Sequence, residues 1–262
     1  MKTSFRFPAQ TPEQAADWIE IFLLIRIPKK FDLDPHEDIQ VLVPMYRGAA
    51  GVDALNLRLQ GALNPKSIHK NEKKMYNTIF REGDKIMQIR NDYEKKVFNG
   101  DIGRIEEISK REQTFLINYE GNKITYNWSE ADQFVLAYAI SIHKSQGSEF
   151  PAVVIPILTE HYMMLQRNLL YTAVTRAKQL CVLVSNKRAL QIAVSTETVS
   201  KRFTGLRWRL EDLIGKAPQK LVKDLPIMQD FIANKDQIEL NGLSLKKVKK
   251  SEPKNPRKPR TK

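Results

Sequence analysis

Four short apolar runs constrain this chain more than any other feature: DIQVLVPM (38–45), FVLAYAIS (134–141), AVVIPIL (152–158) and LCVLVS (180–185). They are rich in β-branched residues and too short for core helices, so they read as strands. Successive strand side chains point to opposite faces, so a run apolar at every position is buried on both faces. That is the signature of a parallel sheet covered by helices on each side. The covers are legible too. Residues 11–27 place Ala15, Trp18, Ile19, Phe22 and Ile25 at helical spacing behind a capping Thr11 and a first-turn Pro12. VDALNLRLQGAL (52–63) is a short amphipathic helix stopped by Asn64-Pro65, and LQRNLLYTAVTRAK (165–178) is another. Residues 188–194 and 202–214 are expected as closing helices.

The pattern changes between Phe80 and Asp132. DKIMQI, GRIEEI, TFLINY and KITYNW are short alternating segments separated by Asn99-Gly100-Asp101, Lys110-Arg111-Glu112 and Glu120-Gly121-Asn122. Such spacing predicts a small β-barrel inserted into the α/β unit. Trp128 and Tyr126 are expected to pack inside it.

The 262 residues, 42% hydrophobic, suffice for a buried core without staples. The one cysteine, Cys181, sits in an apolar strand, reads as a small core residue, and excludes a disulfide framework. His36, His69, His143 and His161 are scattered, which argues against a metal cage and gives no Ser-His-Asp arrangement. The longest apolar stretch, WIEIFLLIRIP, is broken by Glu20 and Arg26, and no signal-peptide order opens the chain, so the expectation is a soluble cytoplasmic protein with no membrane partner. Net charge is +13, of which Lys246–Lys262 supplies +8. A polyanionic partner, nucleic acid before a membrane surface, is favoured. Residues 216–262 are expected to form a basic, largely disordered tail ending in the Pro- and Lys-rich KKSEPKNPRKPRTK; the Lys246–Lys262 segment, taken alone, reads equally well as a solubilising tail.

Two segments carry the chemistry: AYAISIHKSQGSEFPAVVIP (137–156) and LLYTAVTRAKQLCVLVSN (169–186). In the first, a buried strand ends in hydroxyl, imidazole and amide side chains, and ligands of α/β sheets collect beyond carboxyl ends of strands. Such groups suit the phosphate oxygens of a nucleic acid strand. The bland reading is a polar connection turned by Gly147. In the second, Arg176 offers a guanidinium that can meet two phosphoryl oxygens at once and never loses its charge. Alone, it would be a surface arginine of an amphipathic helix. In the expected barrel, Arg90-Asn91-Asp92-Tyr93 and Lys95-Lys96 mix cations with an aromatic, a combination that grips single strands; ordinary hairpin turn chemistry explains them as well.

Together these segments resemble motifs five and six of superfamily 1 helicases. Residues 39–210, including IQVLVPMYRGAAGVDALN and GDKIMQIRNDYEKKVFNGDIG, resemble the RecD-like branch, that of the exodeoxyribonuclease V alpha subunit. The resemblance implies a RecA-like motor domain with an inserted SH3-like barrel. Its parts would be 1–79 and 133–215, with 80–132 as the insert. It implies 5′-to-3′ translocation on single-stranded DNA driven by ATP and Mg²⁺. It places Ser141 and His143 on the DNA side, and Gln146, Gly147, Ser148 and Glu149 nearer the nucleotide; Lys144 beside them, and Arg90, Asn91 and Tyr93 of the barrel segment, are the further candidates for DNA contact. Arg176 would be the arginine that reaches the γ-phosphate across a cleft between two motor domains. A phosphate-binding loop, G-x-x-x-x-G-K-[ST], is not among the 262 residues; the sole Gly-Lys pair, Gly215-Lys216, does not fit it. The expectation is therefore a C-terminal motor region, inactive alone, that works with an N-terminal motor domain. A non-catalytic nucleic-acid-binding or docking module and an RNA helicase stand as alternatives.

Overall fold

The computed structural model describes residues 3–197, together with Leu210 and Leu213. The expected helix at 202–214 and the tail at 216–262 lie essentially outside the described residues.

The apolar runs do form one parallel sheet, ordered β1-β12-β11-β2-β10: β1 (Thr3–Pro8), β12 (Ala177–Ser185), β11 (Phe150–Ile157), β2 (Ile39–Val43) and β10 (Ala139–Ser141). Alternate side chains enter two cores. Ile39, Val41, Val43, Val154 and Val182 face α1 (Pro12–Ile21) and α3 (Val52–Leu63). Leu42, Val153, Ile155 and Cys181 share the other cluster with residues of α4 (Arg167–Thr175) and α5 (Lys187–Ser195). Burial on both sides is why these runs carry no polar alternation. Strand β1 was not foreseen; it is a half-exposed edge with Phe5 and Phe7 turned to the first core.

The first helix differs from its expected span. Thr11 caps it, accepting from the Gln14 N–H at 3.2 Å, with Pro12 in the first turn. It then continues through a π-helical turn (Phe22–Arg26) into α2 (Ile27–Phe31). Pro28 explains the widened turn: proline lacks an N–H and its ring collides with the carbonyl four residues back. Ile27 instead bonds the Phe22 carbonyl, and the helix passes the proline.

A hairpin of β3 (Glu72–Met75) and β4 (Thr78–Arg81), too charged to show in an apolar pattern, precedes a five-stranded antiparallel sheet. That sheet runs β8-β7-β6-β5-β9, from β5 (Lys85–Gln88), β6 (Ile102–Ser109), β7 (Thr114–Tyr119), β8 (Asn122–Asn127) and β9 (Phe134–Leu136). Its end strands β8 and β9 do not pair with each other, so what is seen is an antiparallel sheet and not a closed barrel. Tyr126 is buried as expected; Trp128 packs partly against the core but opens a 3-10 turn instead of ending a strand.

Two further expectations are corrected. The run 134–141 is not one strand. It splits into β9 in the antiparallel sheet and β10 in the parallel one, with the buried Ala137 and Tyr138 between. The Gln40 side-chain amide donates to both of their carbonyls, at 3.0 and 3.2 Å, which satisfies the break. The helix expected at 165–178 spans only Arg167–Thr175. Strand β12 claims the rest: the Phe150 N–H bonds the Arg176 carbonyl at 2.8 Å and starts the β11–β12 ladder.

Candidate nucleic-acid and nucleotide interface

The segment 141–150 runs between opposite ends of the parallel sheet. Ser141 lies level with Val43, at the carboxyl ends of β10 and β2. Phe150 opens β11, just before the level of Ile39, at the amino end of β2. A 3-10 turn (Ile142–Ser145) starts the crossing, held by Ser141 Oγ accepting from the Lys144 N–H (3.4 Å) and by Ser145 Oγ donating to the Ile142 carbonyl (2.7 Å). Gly147, at φ +91, turns the chain toward β11, so the conformational reading of this glycine holds.

At the carboxyl end, Tyr46 follows β2 and its hydroxyl donates to Ser141 Oγ at 3.4 Å. Lys144 Nζ donates to Asn99 Oδ1 at 2.8 Å, reaching the loop between β5 and β6. In that loop the Asn99 N–H bonds Asn91 Oδ1 (2.9 Å) and the Asn91 amide contacts the Tyr93 hydroxyl (3.4 Å). Tyr93 is 75% exposed and meets Phe98 edge-on. The structure thus joins Lys144, Asn91 and the exposed Tyr93 through one chain of contacts, with Ser141, itself buried, beneath Lys144 and Tyr46. Arg90 stands beside it, paired with Asp132 at 2.8 Å. Lys95 is turned away, bonded to Glu130 at 2.5 Å and set over the Tyr126 ring. Tyr46 and Asn99 were missed as site residues. Adjacent parallel strands end side by side, so the residue after β2 was the available signal for Tyr46.

At the amino ends, Arg176 is the C-cap of α4 and part-buried. Its Nη1 donates to the Ser148 carbonyl (3.0 Å), Nε to the Thr172 carbonyl (3.2 Å) and Nη2 to Thr175 Oγ1 (3.3 Å). One guanidinium therefore joins the two motifs. Ser148 and Glu149 line a cavity of about 680 Å³ with His36, Lys85 and Arg104 from the seam between the sheets. Burial pushes the Lys85 ammonium down to about 8, and its Nζ has the Ile39 carbonyl at 3.4 Å. His143 and Gln146 do not join either group. Both are exposed and share a depression of about 250 Å³ with Gln166 and Thr172. Among the described residues no group of three or more His, Cys, Asp or Glu side chains is placed to hold a metal ion, and no helix is long and apolar enough to cross a membrane.

Comparison with known proteins matches two regions of the chain. Residues 55–119 match the ATP-dependent RecD-like DNA helicase SH3 domain, and residues 136–184 match the UvrD-like helicase C-terminal domain. In these regions the chain is similar to RecD-like and UvrD-like helicases. It is 34% identical over 159 residues to the ATP-dependent RecD2 DNA helicase of Deinococcus radiodurans, covering 61% of this chain and 22% of that protein. It is 32% identical over 178 residues to the RecBCD enzyme subunit RecD of Mycolicibacterium smegmatis, covering 68% and 30%. The chain therefore spans about a quarter of the length of these RecD-like relatives. Among solved structures, a Bacteroides Pif1 helicase in complex with ADP-AlF3 and single-stranded DNA aligns over 78% of this chain and 50% of its own, at 17% identity and a TM-score of 0.43.

Proposed function

We propose that this chain is the C-terminal motor region of an ATP-dependent DNA helicase that moves 5′ to 3′ on single-stranded DNA in the cytoplasm. Residues 1–79 and 133–215 act as the two parts of the motor domain and 80–132 as its SH3-like insert. The observation that carries the reading is the 141–150 segment, which links the polar surface around Ser141 and Lys144 to the arginine anchored on Ser148. A shift at one end of so short a segment is felt at the other.

ATP and Mg²⁺ would be held mainly by an N-terminal motor domain that supplies the phosphate-binding loop, and the nucleotide brings the phosphoryl group whose hydrolysis drives movement. The residues present fit that role. Gln146 and Glu149 are exposed, Gly147 leaves open space at the turn, and Arg176 is pre-positioned by three acceptors of its own chain. To meet a γ-phosphate, Arg176 exchanges one of those acceptors, the Ser148 carbonyl being the one that belongs to the 141–150 segment. That exchange frees the 141–150 segment and alters the grip of Ser141, His143 and Lys144, with Arg90, Asn91 and Tyr93, on the strand.

The test is single-strand-stimulated ATP turnover by this chain together with its N-terminal motor domain. Arginines of this kind are worth on the order of 10³-fold or more in turnover. Arg176→Ala is expected to lose turnover on that scale while single-strand affinity stays within a few-fold. Equal turnover by Arg176→Ala sinks the assignment. Robust turnover by the 262 residues alone contradicts the division of labour. Faster unwinding of RNA than of DNA duplexes would favour an RNA substrate.

A further inference from the structure

A small, mostly apolar pocket of about 270 Å³ opens beside the carboxyl ends of β2 and β10, where the parallel sheet meets the antiparallel one. Met87 and Ile140, both buried, form its deep side with the half-buried Ile89. Tyr46, 50% exposed, and Val135, 38% exposed, stand at its mouth. Large apolar surfaces left in water beside a pocket of the same chemistry mark a place for an apolar ligand.

The polar groups around it are few and fixed. The Tyr46 hydroxyl donates to Ser141 Oγ, and that oxygen also accepts from the Lys144 N–H. The Lys144 ammonium is bonded to Asn99, so it closes one wall instead of standing free. The pocket is smaller than the ~300 Å³ from which pockets hold drug-sized ligands, which leaves room for one flat ring system and not a whole nucleotide.

We propose that this pocket takes one nucleobase of the single strand, stacked on the Tyr46 ring against the wall of Met87, Ile89 and Val135. The inference rests on the single-strand-binding reading above. Every base has a π-face, and the pocket floor offers no hydrogen-bond code, so any base enters. The sugar and phosphate remain outside the pocket, beyond the exposed edge of Tyr46. In this arrangement Tyr46 holds the base, and Lys144, besides its contact with the strand, holds the Asn99 loop against the pocket.

The experiment is fluorescence anisotropy of a labelled oligo-dT with the full chain, combined with an abasic site moved stepwise along the strand. Tyr46→Ala is expected to weaken binding roughly 5- to 150-fold, the range that base–aromatic stacking supports. Tyr46→Phe is expected to stay within threefold of the parent. Val135→Asp, at an exposed position, is expected to weaken binding comparably without unfolding the chain. One abasic position should reproduce the Tyr46→Ala loss and add nothing to it. Binding by Tyr46→Ala within twofold of the parent, or an abasic scan without a sensitive position, overturns the pocket while leaving single-strand binding intact. Loss of binding in Tyr46→Phe equal to that in Tyr46→Ala overturns stacking in favour of the hydroxyl. A parent chain that binds no single strand fails the functional reading itself, which is a different outcome from either.

Discussion

Asp84 and Lys85 are neighbours with opposite circumstances. Asp84 is buried and its carboxylate accepts from Gln60 (2.6 Å), Asn64 (2.7 Å), the Arg81 N–H (2.7 Å) and the Tyr138 hydroxyl (2.9 Å). Burial raises its pKa, and these four donors work against that rise. Because a hydrogen bond to a charged group is worth about 1.5–3 kcal/mol, Tyr138→Phe should lower stability by that amount in urea unfolding. Lys85 has one carbonyl at 3.4 Å, and burial depresses it to about 8 from 10.5. The unfolded chain holds this proton up to about 10.5, the folded chain only to about 8. Between those values the unfolded state binds more protons, so stability rises with pH across that window. At neutral pH the buried ammonium costs on the order of 3 kcal/mol. Lys85→Met should therefore be more stable than the parent at pH 7 and lose the rise between pH 8 and 10; denaturant midpoints at both pH values test this. A less stable Lys85→Met at pH 7 would mean that the ammonium is better satisfied than its contacts suggest.

At the scale of elements, the turn from β2 into α3 positions Tyr46. The Val52 N–H bonds the Met45 carbonyl at 3.0 Å and the Asp53 N–H bonds the Tyr46 carbonyl at 3.2 Å, so backbone carbonyls cap the start of α3. Gly51 makes this possible: a Cβ there would meet the Tyr46 and Arg47 carbonyl oxygens at 2.4 Å, which no ordinary contact allows. Gly51→Ala must push that turn outward. The expected cost is about 1–3 kcal/mol, as for overpacking elsewhere, with weaker single-strand binding because Tyr46 moves. An unchanged melting temperature would show that the turn yields freely. The same scale explains Arg176. It ends α4 because Phe150 pairs with it, and Thr172 and Thr175 return their hydroxyls to the Asn168 and Thr172 carbonyls, a habit that loosens helices.

For residues 3–197 as a whole, the two sheets are not separable bodies. Only Ala137 and Tyr138 lie between β9 and β10, and one apolar cluster runs from Val41 and Val154 through Ile86 and Ile105 to Phe115 and Tyr126. Arg104 pairs with Glu37 and Lys144 with Asn99 across the seam. The Arg104–Glu37 pair is partly exposed and contributes ~1 kcal/mol at most; the shared core does the joining. Both sheets should then unfold in one cooperative transition. Coincident loss of hydrogen-exchange protection in β7 and β11 checks this, and two separated transitions would contradict it.

The sequence alone determined the parallel sheet, because burial on both faces leaves a mark at every position of β2 and along the apolar runs of β11 and β12. It also determined the two motifs and their order, since those depend on residue type and spacing. It could not separate β9 from β10: a residue buried in either sheet looks equally apolar, and only pairing partners decide which sheet it joins. It could not find β3, β4 or the edge strand β1, whose half-exposed faces carry charges and aromatics. Nor could it show that Tyr46 and Asn99 meet Ser141 and Lys144. Those contacts join residues up to 95 positions apart, and the closeness comes from parallel strands ending together and from a loop of the inserted sheet folding back. Arg176 shows the division most clearly. Its chemistry was legible from its guanidinium and its neighbours; its anchoring on the Ser148 carbonyl was decided by the β11–β12 ladder, which brings two distant segments to the same end of the sheet.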